Sequence, residues 1–186
     1  MKKIQNSKLK TQNFSIPCFI LAGGKSSRFG SEKEDKAYIF YNLQYSKCKR
    51  IFKNVYFAAK HKKFKNYPFF IEKSKTYAPI FALEEIIKKH KKIFILSVDT
   101  PFISIKSIKK LLKQKAVADN NPLIGYYDYT MLNKIKYNKN TNLKIFGINK
   151  KSIKIPKKEL ININKKEDLK INLPYFIRQR RKRNIG

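Results

Sequence analysis

Cysteine occurs only twice, histidine only twice, and acidic residues number 12 against 44 lysines and arginines. Neither Cys18 nor Cys48 belongs to a C-x-x-C pair or lies near clustered histidine, so the sequence supports no disulfide framework and no zinc site, and both thiols are expected to be reduced. His61 and His90 sit among lysines with no second ligand at metal spacing, and both read as surface residues. No apolar run approaches the roughly 20 residues that a spanning helix needs. The first residues, MKKIQNSKLKTQNF, are basic and polar without the apolar stretch of a signal peptide. The expectation is therefore a cytoplasmic protein without membrane contact. Two phosphate-binding motifs are missing as well: Gly24-Lys25-Ser26 lacks the opening glycine of a Walker A loop, Phe19 standing there, and no G-x-G-x-x-G follows a strand.

The charge is what the sequence has in excess. A net charge of +32 would ordinarily suggest nucleic acid or an anionic membrane as a partner. Lysine, however, greatly outnumbers arginine and is spread through every segment with asparagine and isoleucine, whereas a reader of phosphate geometry places arginine forks at chosen points. No aromatic string of the RNA-recognition type is present. Nucleic acid is thus not the expected partner, although the positive field would steer a small polyanion inward. With 186 residues, 42% of them hydrophobic, the chain is long enough to bury one core without staples. Residues 1–177 are read as one domain, and 178–186, which includes RQRRKR, as a solvated basic tail.

Hydrophobic patterning alternates strand and helix. Residues 17–22 (PCFILA) form a short apolar run that ends in Gly23 and Gly24, a buried strand feeding a turn. Residues 25–35 read as a loop, 43–52 as a helix, 55–59 and 69–71 as strands, and 80–89 (IFALEEIIKK) as an amphipathic helix. Residues 92–98 (KIFILSV) make the clearest buried strand, followed by Asp99-Thr100-Pro101 and a helix over 105–113. Beyond this point Val117 and 122–126 read as strands, 131–137 and 142–148 as short helices, and 160–164 (LININ) as a strand end before a helix from Lys165. Strands separated by helices predict an α/β fold, a three-layer α/β/α arrangement around a mostly parallel, Rossmann-like sheet. Ligands of such sheets sit beyond the carboxyl ends of the strands, where Gly23-Gly24 and Asp99 fall.

The string LAGGKSSRFG over residues 21–30 has a clear physical logic. Paired glycines after a strand allow backbone N–H groups to approach a ligand, and Lys25, Arg28 and Lys36 bring positive charge for phosphates. Followed by Asp35-Lys36-Ala37, the string resembles the signature of the molybdenum cofactor guanylyltransferases. Three further elements fall in that family's order: SVDTP over 97–101, similar to its metal-binding aspartate; YAPIFAL over 77–83, similar to its glycine-proline-leucine-alanine-glycine segment; and LININKKEDL over 160–169, similar to its asparagine-x-asparagine element.

The resemblance implies a nucleotide-diphospho-sugar transferase-like fold and transfer of GMP from GTP to molybdenum-bearing molybdopterin, with release of pyrophosphate. Leu21, Ala22 and Gly23 would meet the base and ribose of GTP; Gly24, Lys25, Arg28 and Lys36 would surround the triphosphate; Asp99 would hold Mg²⁺; Asn162 and Asn164 would lie near the pterin. Lys36, Arg28 and Asp99 would carry the catalytic roles. Relatives that transfer CMP have alanine in place of the first glycine of the turn, so Gly23 favours GTP over CTP. The resemblance also admits transient contact with other cofactor-biosynthesis proteins or with molybdoenzymes.

Some positions depart from the family. Residues 31–34 lengthen the loop, which leaves Lys33 and Lys36 both as candidates for the phosphates, with the DKA string favouring Lys36. The family's asparagine after the second strand falls at Ala58, and its acid after the third strand falls at or beside Lys73, with Glu72 one place away. Asn121-Pro122 stands where histidine-proline is frequent. Other readings are CMP transfer, transfer to a sugar phosphate, or a basic nucleic-acid-binding protein.

Overall fold

The computed structural model describes residues 14–23, 36–140, 145, 147–164 and 168. In chain order the elements are β1 (Cys18–Leu21), α1 (Lys36–Lys49), β2 (Val55–Ala59), β3 (Phe69–Ile71), α2 (Pro79–His90), β4 (Lys92–Ser97), α3 (Ile105–Gln114), β5 (Val117–Ala118), β6 (Asn121–Asp128), α4 (Leu132–Asn140) and β7 (Ser152–Ile153). The strands form one sheet in the order β3-β2-β1-β4-β6-β5-β7. β1 pairs in parallel with β2 and β4, β2 with β3, and β5 with β7. Among the described strands only β6 runs against its neighbours, antiparallel to both β4 and β5.

Helices cover both faces, and the strands show why. Successive side chains of a strand point to opposite faces. Cys18 and Ile20 therefore join Phe94 and Leu96 in a core layer with Ile51 and with Ile108 and Leu111 of α3. Phe19 turns the other way and joins Ile93 and Ile95 beneath Leu83 and Ile86 of α2 and Ile135 of α4. Ile93, Phe94, Ile95 and Leu96 are fully buried. Burial on both faces explains the unbroken apolar run of β4, each such side chain contributing about 1.5–3 kcal/mol. The result is the expected three-layer α/β/α sheet, mostly parallel. No helix among the described residues is long and apolar enough to cross a membrane.

Local chemistry sets the helix ends. Pro79 starts α2, where a missing N–H leaves no hydrogen bond unmade. In α3 the Ser104 hydroxyl accepts from the Ser107 N–H, and Lys115 closes the helix in a left-handed conformation at φ 49°. Glu84 of α2 accepts from Lys88 and from Lys139 of α4, both at 2.7 Å, joining the two helices. Cys18 and Cys48 are free and fully buried, sulfur to sulfur at 3.7 Å, and burial pushes the Cys18 thiol up.

Several expectations need correction. α1 begins at Lys36, earlier than the apolar spacing indicated, and the two-residue β7 carried no sequence signal. Residues 160–164 form no strand although apolar residues and asparagine alternate there. In place of a ladder, the Ile163 N–H donates to the distant Asp99 carbonyl, while the Leu160 and Asn164 N–H groups bond locally, to the Lys157 carbonyl and to Asp168. Of the helix expected over 142–148, residues 142–144 and 146 lie outside the described residues, while 147–148 form a turn with Gly147 at φ 79°. Of the segment from Lys165 to the basic tail only Asp168 is described, and it is helical. His90 is partly buried, less exposed than expected. Its ring packs 4.9 Å from Phe19 and 6.0 Å from Tyr56, and that burial, with Lys89 nearby, lowers its pKa from 6.5.

Candidate active site

The carboxyl ends of β1, β2, β3 and β4 lie side by side, and their backbones hold the exits together. The Ala22 N–H donates to the Ala58 carbonyl at 2.9 Å, and the Val98 N–H donates to the Leu21 carbonyl at 3.2 Å. Leu21, Ala22 and Gly23 are thus clamped between the end of β2 and the turn that carries Asp99. Ala22 is buried, while Leu21 and Gly23 are partly exposed. Of the remaining residues expected at the nucleotide, Lys36 opens α1. Gly24, Lys25 and Arg28 lie outside the described residues, as does the alternative Lys33.

The acid after β3 is Glu72. Its N–H donates to the Ala59 carbonyl at 3.0 Å, continuing the β2–β3 pairing by one bond, and its side chain turns toward the β1 exit. There Oε1 lies 2.9 Å from the point that a Cβ on Gly23 would occupy. Oε2 pairs with Lys60 Nζ at 3.2 Å, and the Glu72 side chain is 7% exposed. Lys60 also donates to the Ser74 carbonyl, and its ammonium stands 5.5 Å from the centre of the Tyr77 ring. Burial raises the Glu72 pKa above 4.5, an effect that the Lys60 hydrogen bond and charge oppose. Lys73, the other candidate for this position, has its N–H bonded to Glu85 Oε2 at 2.8 Å. Ala58 packs into the core against the α2 side of the sheet. Neither Lys60 nor the orientation of Glu72 was visible in the sequence, because the Gly23–Glu72 approach depends on two strands separated in the sheet by β2.

Asp99 follows β4 in a tight turn. The Ser97 hydroxyl donates to Asp99 Oδ1, and the Thr100 hydroxyl donates to the Ser97 carbonyl at 3.0 Å. From the far end of the chain, the Ile163 N–H donates to the Asp99 carbonyl at 2.9 Å. That bond fixes the segment holding Asn162 and Asn164 beside the aspartate. Asn162 Oδ1 accepts from Asn121 Nδ2 at 3.3 Å, and Asn121 Oδ1 in turn accepts from the Leu123 N–H at 3.2 Å. The Asn164 N–H donates to Asp168 Oδ2 at 2.7 Å, which ties the two residues together. The β1 exit, the Asp99 turn and the segment around Asn162 are therefore linked by two backbone bonds, Val98 to Leu21 and Ile163 to Asp99, although they come from three distant parts of the chain.

The profile of the MobA-like NTP transferase domain matches residues 18–131, from the start of β1 to just before α4. This chain belongs to the MobA-like NTP transferase family. A molybdenum cofactor guanylyltransferase from Campylobacter jejuni subsp. doylei is 33% identical over 87% of this chain and 92% of its own length. A protein from Aquifex aeolicus, described as a probable molybdenum cofactor guanylyltransferase, is 32% identical over 82% of this chain and 88% of its own. Among solved structures, the molybdopterin-guanine dinucleotide biosynthesis protein A of Archaeoglobus fulgidus superposes with a TM-score of 0.66 over 83% of this chain and 95% of that one. At 17% identity that match speaks for the shared fold alone. Three of the four motif elements, at 21–30, 77–83 and 97–101, fall within the residues that the family profile matches, and the Gly23–Glu72–Lys60 grouping is how this chain builds the rim beside β1.

Proposed function

We propose that this chain is a Mg²⁺-dependent guanylyltransferase that moves GMP from GTP onto molybdopterin. The observation that carries this reading is the Asp99 turn, bonded on one side to the Leu21 carbonyl and on the other to the Ile163 N–H. A carboxylate held between the β1 exit and an asparagine segment would serve a nucleotide and an acceptor together.

The donor set suits magnesium. Mg²⁺ dehydrates reluctantly and binds through one or two carboxylates, substrate phosphates and retained waters, not through an all-protein cage. Asp99 is one such carboxylate, partly exposed, and the described residues hold no cluster of three or more metal-ligating side chains elsewhere. The ion, when bound, would neutralise charge on the phosphates of GTP. The rest of the chemistry is positioning. A terminal phosphate oxygen of the acceptor attacks the α-phosphorus of GTP, the bond from that phosphorus to the β-phosphate oxygen breaks, and pyrophosphate departs with the electron pair. The nucleophile is already ionised, the second phosphate pKa being about 6, so no histidine base is needed. Arg28, Lys25 and Lys36 would offset the charge of the triphosphate, and the net charge of +32 would draw both polyanions inward.

Glu72 supports the choice of base. An ionised carboxylate only accepts hydrogen bonds. The pairing edge of guanine offers two adjacent donors, a ring N–H and an amino group, whereas that of cytosine offers one amino group beside two acceptors. Glu72 at the Gly23 turn would therefore favour GTP over CTP.

The test is incubation of purified protein with Mg²⁺, molybdenum-bearing molybdopterin and either nucleotide, following pyrophosphate. Release with GTP that disappears in Asp99→Ala, with the circular dichroism spectrum unchanged, is the expected result. No release with either nucleotide would defeat the proposal, and release with CTP alone would overturn the reading of Gly23 and Glu72.

A further inference from the structure

Two polar residues of α1 are buried where a helix facing the sheet would ordinarily carry apolar side chains. Gln44 is 0% exposed and Lys47 is 5% exposed. Gln44 Nε2 donates to the Ser97 carbonyl at 3.1 Å and to the Thr100 carbonyl at 2.9 Å. Its Oε1 accepts from Lys47 Nζ at 2.8 Å, and Lys47 Nζ also donates to the Pro101 carbonyl at 2.8 Å. Three consecutive-turn carbonyls, at positions 97, 100 and 101, are thereby gripped by one helix, and the residue they flank is Asp99. Buried polar groups that find every partner rigidify the segment they hold, and the geometry of this pair leaves the amide of Gln44 only one productive orientation.

The same helix begins at Lys36, the lysine assigned to the triphosphate under the proposed function, and Gln44 lies eight positions further on, about 12 Å along the axis at 1.5 Å per residue. We propose that Gln44 and Lys47 are positioning residues that set the Asp99 turn relative to the phosphate-binding end of α1, so that metal and nucleotide are bound at a fixed mutual distance. This inference rests on the guanylyltransferase reading, since it takes Asp99 as the metal ligand and Lys36 as the phosphate contact. Neither Gln44 nor Lys47 is asked to touch substrate. Their effect is transmitted through the three carbonyls, and it should appear in metal binding to the nucleotide complex rather than in nucleotide binding alone.

The experiment uses the full-length protein, Mn²⁺ as a paramagnetic stand-in for Mg²⁺, and a GTP analogue with a methylene group between the α- and β-phosphates. Free Mn²⁺ is followed by electron paramagnetic resonance, and analogue binding is measured separately in EDTA. Gln44→Met keeps the length of the side chain and removes its bonds to Ser97, Thr100 and Lys47; Lys47→Met removes the bonds to Gln44 and Pro101 and leaves the Gln44 donors in place. The expected result is that Gln44→Met weakens Mn²⁺ binding to the analogue complex about tenfold and Lys47→Met severalfold, with metal-free analogue binding within about twofold of wild type. Folded variants that hold Mn²⁺ as tightly as wild type would overturn the proposal. So would a matched loss of Mn²⁺ and metal-free analogue binding, or failure of both variants to fold, because each assigns the pair to general packing. Wild-type protein that binds neither Mn²⁺ nor the analogue would instead refute the guanylyltransferase reading, and the role of the pair would fall with it.

Discussion

The Glu72 carboxylate stands where a side chain on residue 23 would have to be, Oε1 being 2.9 Å from the position of a Cβ on Gly23. The two residues belong to the exits of strands that do not pair with each other, β1 and β3, and the contact passes across the end of β2. Glycine at 23 therefore has a steric role in this chain, to leave room for an acid that Lys60 holds in place.

Gly23→Ala should displace that carboxylate. Gly23 is not in the left-handed region, so alanine brings no backbone strain, and the displacement falls on the end of the Glu72 side chain. The KM for GTP should rise about tenfold, equivalent to about 1.4 kcal/mol, while the melting temperature stays within a few degrees. Steady-state titration with GTP checks it, and an unchanged KM would separate Gly23 from base recognition.

Lys36→Ala should cost more turnover than Lys33→Ala. Removing one group that stabilises developing charge on a transferring phosphoryl group typically lowers kcat by about 10²–10³. That loss is expected for Lys36, with little change for Lys33. Equal losses in the pyrophosphate assay would show that the longer loop lets Lys33 share the phosphates.

Glu84 gives the fold a pH dependence of known sign. Burial alone would raise its pKa, but hydrogen bonds from Lys139 and Lys88 outweigh this and bring it below 4.5. A carboxyl held below its unfolded value stabilises the folded state above that unfolded value, and the contribution disappears as pH falls through the native pKa. Lys139→Met should thus cost about 1 kcal/mol near neutral pH. The gap between the variant and wild type in urea titrations should close as pH falls below 4.5. A gap that persists in acid would assign the effect to packing of the Lys139 stem.

Gly125→Ala tests the β5–β6 pairing. A Cβ at 125 would lie 2.5 Å from the Val117 Cα and 2.8 Å from the Ala116 carbonyl, both backbone atoms with no freedom to yield. Overpacking of this kind costs about 1–3 kcal/mol. Urea unfolding should show a midpoint lowered by a matching amount, and wild-type stability would mean that β5 moves aside.

Apolar patterning revealed β1, β3, β4, α2 and α3 almost to their ends, since a strand buried on both faces or a helix with one apolar stripe leaves a periodic trace. The motif residues Gly23 and Asp99 were visible for a related reason, standing directly after such strands. Gln44, Lys47, Lys60 and the inward turn of Glu72 were not. Each is a polar residue whose burial is made tolerable by partners from elsewhere in the fold, and short-range spacing treats such residues as solvated. The alternation over 160–164 misled in the opposite sense: it has the period of a strand, but Ile163 spends its N–H on Asp99, and Asn162 is taken by Asn121.

The reversed direction of β6 gives the sheet a mixed rim. In a wholly parallel sheet every strand presents its last residues at the ligand edge, and the first residues of all strands are carried to the opposite side. Because β6 descends where β4 ascends, it delivers an opening residue, Asn121, to the edge where its neighbours end. A binding face assembled from four exits and one entry is lopsided, and the two sides of Asp99 present different chemistry: glycine and glutamate toward the β1 and β3 exits, paired amides toward the β6 entry. If the proposed transfer holds, its two unlike reactants would occupy separate berths, on either side of one carboxylate.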